Sequence, residues 1–306
     1  MLLRDKPIAS PLNYIGGKYK LLPQIFPLFP DNVDTFVDIF CGGCNVGINA
    51  SANRIICNDL DSNLIGLFNY FKSTKHDVLK KKIDTVIEHY KLSDSQTNGY
   101  KFYNCNSGDG LCKYNRDKFL KLRTDFNSLD PKNENYYLYL YVLIVYAFNN
   151  QIRFNSEGKY NLPVGKRDFN IKMQNKLESF LSNISSITFQ NQSFTDIIPD
   201  QLNENDFVYA DPPYLITCAG YNENNGWHEN MENQLLSYLD SLTEKHIKFA
   251  LSNVLSSDGK TNTILLNWIT DHPNYICHHL NYSYKNSNYH KKNSSEKADE
   301  VLITNY

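Results

Sequence analysis

Along the chain, short apolar runs alternate with longer stretches whose apolar residues recur at helical spacing. The runs at 34–40, 54–57, 187–189, 207–208, 248–253 and 300–304 predict strands. Leu64, Leu67, Phe68 and Phe71 repeat every three or four positions, and 78–90, 136–148, 172–181 and 233–242 also predict helices. Strands separated by helices predict an α/β fold around a mixed, mainly parallel sheet. Residues 61–148 interrupt that alternation with mostly helical sequence and predict an insertion. Within it the polar stretch 93–114 reads as a loop, and the tyrosine-rich 136–148 reads as a buried helix.

The first strand runs into Cys41-Gly42-Gly43-Cys44-Asn45-Val46-Gly47, with a helix expected through Ile48 and Ala50. Strand, glycine-rich turn and helix let a ligand approach the backbone closely. The second strand ends at Asn58-Asp59, which puts a carboxylate about 20 residues after the turn, where such folds bond ribose hydroxyls. The expected cofactor is nucleoside-like; periodicity alone does not separate a nicotinamide cofactor from S-adenosylmethionine. Cys41 and Cys44 form a CxxC, but a zinc site needs a second ligand pair, and Cys105 and Cys112 are poorly spaced for one. No metal is expected.

Upstream, Tyr14-Ile15-Gly16-Gly17-Lys18 precedes apolar-periodic Leu21, Leu22, Ile25 and Phe26. Free backbone N–H groups, a helix start and a mobile lysine predict an anion-receiving turn, with a solvated surface turn as the alternative. The spacing is not that of a nucleoside triphosphate loop.

The strand at 207–208 ends in Asp211-Pro212-Pro213-Tyr214. Prolines stop a strand and stiffen the residues after it. A carboxylate, a backbone carbonyl and an aromatic ring are thereby presented at a strand's C-terminal end, where open α/β sheets bind ligands. Two acceptors can bond both hydrogens of an adenine amine and push its nitrogen towards a tetrahedral shape while a ring stacks on the base. The alternative is a strand-ending turn with an exposed tyrosine.

Residues 148–166 carry amides, Arg153, aromatics and a central Gly158, and predict a loop leading into a β-hairpin. Asn and Gln pair with adenine edges, Arg with guanine, and aromatics wedge between bases. Lys113, Arg116, Lys118, Lys121 and Arg123 form a basic cluster suited to phosphates or to a solvated helix face. The polar loop 215–227, with Tyr221 and Trp227, reads as a lid or substrate clamp, and another polar loop holds His290, Lys291 and Lys292.

The chain has 306 residues, 41% hydrophobic and 21% charged, as soluble globular proteins do. A net charge of −2 gives no global attraction to nucleic acid, so a DNA-binding face has to be local. Seven cysteines at irregular spacing favour a reducing, cytoplasmic setting, and no apolar run reaches transmembrane length.

Taken in order, the GGK turn, the strand and Gly-rich turn, the insertion with RFNxxGxYNxPxG, then DPPY, ALSN and EVLITNY resemble the Dam-type (alpha-class) DNA adenine-N6 methyltransferases over nearly the whole chain. The resemblance implies a Rossmann-like S-adenosylmethionine-dependent methyltransferase: a discontinuous catalytic domain, 1–72 and 169–306, and a helical, hairpin-bearing recognition insertion, 73–168. It implies that Tyr14, Gly17 and Lys18 contact S-adenosylmethionine. Asp38, Phe40 and Gly42 would line its pocket, with Asp59 on the ribose, Ser193 and Phe194 at the adenine, and Asp211 at the junction with the target. Asp211, Pro212, Pro213 and Tyr214 would hold a flipped adenine. On the DNA side it implies Phe148 as a wedge, Asn149 near the vacated partner base and Arg153 as a base reader, joined by Asn13, Gln151, Asn155 and Lys159.

Five positions depart from the pattern. Cys44 replaces a glycine and is expected to narrow the turn, Gln192 replaces a carboxylate, and Asn13 and Asn150-Gln151 differ from members that recognise GATC. The expected partner is double-stranded DNA bearing a short adenine-containing site, with the enzyme a monomer that serves either a restriction-modification system, alongside a cognate restriction endonuclease, or as a phage or orphan methylase. The competing expectations are an RNA adenine methyltransferase, a catalytically silent DNA-binding module and, last, a nicotinamide oxidoreductase.

Overall fold

The period-two alternation of each strand sorts its side chains onto two separate cores. The computed structural model describes residues 1–306 except 107, 109, 218–225 and 282–297. Among the described residues, one sheet contains β1 (Thr35–Asp38), β2 (Arg54–Asn58), β3 (Ile187–Gln190), β4 (Phe207–Ala210), β5 (Lys248–Ser257), β6 (Lys260–Thr261), β7 (Ile276–Leu280) and β8 (Asp299–Thr304). Their order is β3-β2-β1-β4-β5-β8-β7, with β6 pairing β5. The first five are mutually parallel, and β8 runs antiparallel between β5 and β7. The expected mixed, mainly parallel sheet is present. Strand order reverses between β1 and β4, and their C-terminal ends open the crevice where such sheets bind ligands.

The helices are α1 (Leu22–Ile25), α2 (Ser62–Ser73), α3 (His76–His89), α4 (Ser95–Phe102), α5 (Cys112–Asn127), α6 (Tyr136–Tyr146), α7 (Ile171–Leu181), α8 (Glu229–Glu244) and α9 (Thr263–Asp271). Val37, Ile56, Val208, Ala210, Phe249, Leu251, Val301 and Ile303 face α8 and α9, meeting Leu235, Leu239, Leu265 and Trp268. The alternate residues Phe36, Cys57, Phe207, Tyr209, Ala250 and Leu302 face the other core. That second core runs without a break into the insertion, through Phe68 and Phe71 of α2 to Tyr141 and Ile144 of α6. Helix α6 is buried on all sides and packs against α2, α3 and α5, which is why its sequence is apolar all round rather than on one stripe.

Some expected elements differ. The helix through Ile48 and Ala50 is a single 3-10 turn, Gly47–Asn49. Asn49 and Asn45 spend their side chains on the N-terminal segment, at Ile8 and Ser10, and β2 begins at Arg54. The helix after the GGK turn is broken into α1 and two flanking 3-10 turns, because Pro23 and Pro27 deny it two backbone donors. The stretch 93–114 is not a loop throughout: it contains α4 and the start of α5. Asp94 caps α4 by accepting from Thr97 N, and no residue of α4 is buried, so no apolar period announces it. The hairpin at 148–166 closes through two isolated antiparallel bridges, Ala147 with Val164 and Phe154 with Tyr160, instead of a continuous ladder. Most of the expected lid, including Tyr221, lies outside the described residues, as do His290, Lys291 and Lys292. Among the described residues no helix is long and apolar enough to cross a membrane.

Candidate active site

Strand β4 delivers Asp211 one residue past its C-terminal end, beside the end of β1. Its Oδ1 lies 2.8 Å from Lys18 Nζ and accepts a 3.0 Å bond from the Tyr214 hydroxyl. Among the described residues both of these contacts fall on the same Asp211 oxygen. Burial pushes the Asp211 carboxyl up, and Lys18 and Tyr214 pull it back down.

Lys18 differs from the mobile cation expected at this turn. It is 3% exposed, donates to Gly16 O at 3.0 Å, and sits 3.6 Å from Glu300 Oε1. The turn that carries it needs Gly16 at φ +79°. Lys18 Nζ also lies 4.9 Å from the centre of the Tyr214 ring, so that ring is held by a cation on its face and carboxylates at its hydroxyl.

The glycine-rich turn is shaped by one bond and one contact. Gly42 N donates to Asp59 Oδ2 at 2.9 Å, and Gly42 takes φ +45° with the Tyr14 ring so close that an added Cβ would sit 2.9 Å from it. Cys44 occupies the left-handed region at φ +59°, which explains why glycine suits the position. Its side chain does not narrow the turn: Cys44 Sγ is fully buried against Cys57 Sγ at 3.7 Å, outside the cavity lining. The described cysteines are free thiols.

Asp38 closes β1 and is 1% exposed. Its carboxylate receives backbone bonds from Phe40 and Gly47, yet Oδ1 has no partner among the described residues. Burial first, then Asp211 and Asp59, pushes this carboxyl well up. Such an orphaned acceptor at a pocket is a mark of a ligand-facing group. Asp59 is also pushed up by burial, against bonds from Asp61 and Gly42.

Phe40, Phe194 and Trp227 form an aromatic corner, with ring centres 5.3–6.0 Å apart. Glu232, fully buried in α8, accepts from Trp227 Nε1 at 2.5 Å, Asn253 Nδ2 at 3.0 Å and Asn262 Nδ2 at 3.1 Å. The ALSN segment thus ties β5 to the wall of the site.

All the residues expected on the cofactor side, together with Asp211, Pro212, Pro213 and Tyr214, line one cavity of about 440 Å³. That size suits a nucleoside-bearing ligand. Trp227, expected in a lid or clamp, lines the cavity wall, whereas reading the sequence missed Glu232 and Glu300. Both glutamates carried a signal. Glu232 falls on the stripe of Leu235, Leu236 and Leu239, and Glu300 shares its strand face with Leu302.

The residues expected on DNA are divided. Asn13 donates to Asn149 O at 2.9 Å, so the N-terminal segment and the start of the hairpin meet. Phe148 is half exposed, α6 ends where Ala147 turns extended, and Asn149 and Asn150 take positive φ in the 3-10 turn that follows. Gln151 O accepts from the Tyr160 hydroxyl, Arg153 Nε donates to Asn161 Oδ1, and Lys159 pairs with Glu157. Asn155 is committed to the hairpin turn, where its side chain accepts from Glu157 N and Lys159 N. In the basic cluster, Arg123 donates to Leu162 O and Lys118 lies on the Tyr114 ring, while Lys113, Arg116 and Lys121 are exposed. A second hollow of about 330 Å³ joins Asn13 and Asn150 to Arg167, Lys172 and Lys176. Burial and the two neighbouring cations lower Lys176.

Comparison with known proteins gives four further findings. The sequence profile of the D12 class N6 adenine-specific DNA methyltransferase matches residues 14–297. The chain is 40% identical to the modification methylase StsI of Streptococcus sanguinis, across 98% of this chain and 43% of that protein. It is 41% identical to the type II methyltransferase M.FokI of Planomicrobium okeanokoites, across 85% of this chain and 38% of that one, and 26% identical to the DNA adenine methylase of Escherichia coli K12, across 79% of each. The chain therefore spans about two fifths of the length of the StsI and FokI proteins.

Proposed function

Because this chain belongs to the D12 class of N6 adenine-specific DNA methyltransferases, we propose that it transfers a methyl group from S-adenosylmethionine to the exocyclic N6 of an adenine flipped out of duplex DNA. The observation that carries this reading is the convergence on one cavity of Asp211-Pro212-Pro213-Tyr214 with a nucleoside-fitting pocket.

The donor set fits S-adenosylmethionine. The unpaired Asp38 oxygen would take its ammonium group, Asp59 its ribose hydroxyls, and Phe40, Phe194 and Trp227 its adenine. When bound, the cofactor supplies a methyl carbon on positively charged sulfur. Everything else falls to the protein. Lys18 and Tyr214 fix Asp211 Oδ1, which leaves its second oxygen and the Pro212 carbonyl to accept the two amine hydrogens of adenine. Those bonds sharpen the nitrogen lone pair and aim it, so positioning and desolvation supply most of the rate. The N6 proton leaves to Asp211 after transfer. Flipping the base costs about a few kcal/mol, which contacts at Phe148 and Asn149 would offset.

We also propose the division of labour between catalytic segments 1–72 and 169–306 and the recognition insertion 73–168. The cationic hollow at Arg167, Lys172 and Lys176 suits DNA phosphates beside the Asn13–Asn149 contact. The likeness to the StsI and FokI methylases supports a restriction-modification role with a partner endonuclease, and we propose that the enzyme works in the cytoplasm as a monomer. The test is methyl transfer from labelled S-adenosylmethionine to duplex DNA. Wild-type protein should incorporate label, and Asp211→Ala should lose at least about a thousandfold in turnover while keeping its fold by circular dichroism. Full activity in Asp211→Ala would sink the mechanism.

A further inference from the structure

The aromatic corner of the cavity is anchored by one buried side chain. Glu232 stands in the first turn of α8, is fully buried, and accepts from donors on three separate segments. Trp227 Nε1 donates to Oε2, while Asn253 Nδ2 at 3.0 Å and Asn262 Nδ2 at 3.1 Å donate to Oε1. The first turn of a helix favours a carboxylate.

None of these donors can change its role. Asn253 Oδ1 accepts from Val254 N at 2.8 Å and Asn262 Oδ1 from Leu265 N at 3.1 Å, so backbone donors fix both amides with their NH2 groups towards Glu232. An indole N–H only donates. The side chain at the centre therefore has to accept on both of its terminal atoms, which a carboxylate does and an amide does not.

Trp227 carries this arrangement to the cavity. It lines the wall and meets Phe40 edge-on at 5.5 Å and Phe194 at 6.0 Å. A buried indole settles where its N–H finds an acceptor. We propose that Glu232 is a positioning residue for the cofactor: it fixes the Trp227 indole and so presets the aromatic wall that receives the adenine of S-adenosylmethionine. The inference rests on reading the cavity as an S-adenosylmethionine site. Asn253 belongs to β5, which pairs with β4 through Leu251 and Ala210, so the same carboxylate ties that wall to the strand beside the one that delivers Asp211.

Glu232→Gln separates this role from a merely structural one. The amide oxygen satisfies most donors by keeping the two asparagine bonds, which turns the new NH2 group onto the Trp227 N–H, donor against donor. Trp227→Phe removes that N–H and the conflict with it. The experiment is a double-mutant cycle read by calorimetric titration of the full chain with S-adenosylhomocysteine. Glu232→Gln should weaken binding by on the order of tenfold when Trp227 is present, and change it little in the Trp227→Phe background. Emission from the two tryptophans, Trp227 and Trp268, should move to longer wavelength in Glu232→Gln, and should not move between Trp227→Phe and the double variant, where Trp268 alone remains. Equal weakening in both backgrounds, no weakening, or an emission that stays in place overturns the role. If Glu232→Gln fails to fold by circular dichroism, the double variant decides: a folded Trp227→Phe/Glu232→Gln with the affinity of Trp227→Phe supports the proposal, and one that also fails to fold overturns it. Wild-type protein that binds neither S-adenosylmethionine nor S-adenosylhomocysteine overturns the cofactor reading and this inference with it, whereas normal wild-type binding with additive substitutions overturns only the role of Glu232.

Discussion

At the scale of residues, the site is governed by what surrounds one carboxylate. Burial raises Asp211 while Lys18 and Tyr214 lower it. The ionised form is the one that accepts the amine hydrogens, so turnover should rise with pH as Asp211 loses its proton, and the acid limb should lie above the usual carboxylate range. Lys18→Met removes the largest lowering influence and should move that limb to still higher pH. Single-turnover rates measured across pH check this; a limb that stays in place or moves down would contradict the assignment of Asp211. The carboxylate was legible in the sequence because a doubled proline and a tyrosine come directly after it. The role of Lys18 was not, because its partners lie 193 and 282 positions further along the chain, at Asp211 and Glu300, and a turn rich in glycine reads the same whether its lysine is free or buried. Cys44 shows the converse. The departure from glycine was plain, but only the fold shows its sulfur turned towards Cys57.

At the scale of elements, the hairpin hangs on a single glycine. Gly165 N donates to Tyr146 O at 2.7 Å, and an added Cβ there would lie 2.3 Å from Ala147 O. That obstacle is backbone and cannot swing aside. Gly165→Ala should cost about 1–3 kcal/mol of stability, read as a lower Tm. It should also weaken DNA binding more than cofactor binding, since Phe148 and Asn149 begin where the clash occurs. Equal loss of both would argue against a separate recognition role for the hairpin. The strands were legible because burial on both sheet faces leaves them as short apolar runs, and α6 because a helix apolar on every side leaves a long unbroken run. Helix α4 escaped notice because it buries nothing, and the helix expected after the glycine turn was overestimated because Asn45 and Asn49 bond the N-terminal segment instead.

At the scale of the molecule, the sheet's switch point gathers segments from opposite ends of the chain. Tyr14 and Lys18 come from the start, Asp38 and Asp59 from the first two strands, Asp211 from the fourth and Glu300 from the last. The insertion shares a continuous apolar core with one face of that sheet, so the recognition surface proposed for it would be seated on the sheet rather than tethered to it. The net charge of −2 conceals a local cationic hollow, which sequence totals cannot reveal because folding alone brings Arg167, Lys172 and Lys176 beside Asn13.

The most direct test of adenine-N6 methylation by this protein is single-molecule sequencing of unmethylated genomic DNA after incubation with the protein and S-adenosylmethionine. N6-methylated adenines confined to one short sequence motif are the expected result. Unmodified DNA, with the cofactor still bound or with label passing to RNA instead, would contradict the assigned reaction.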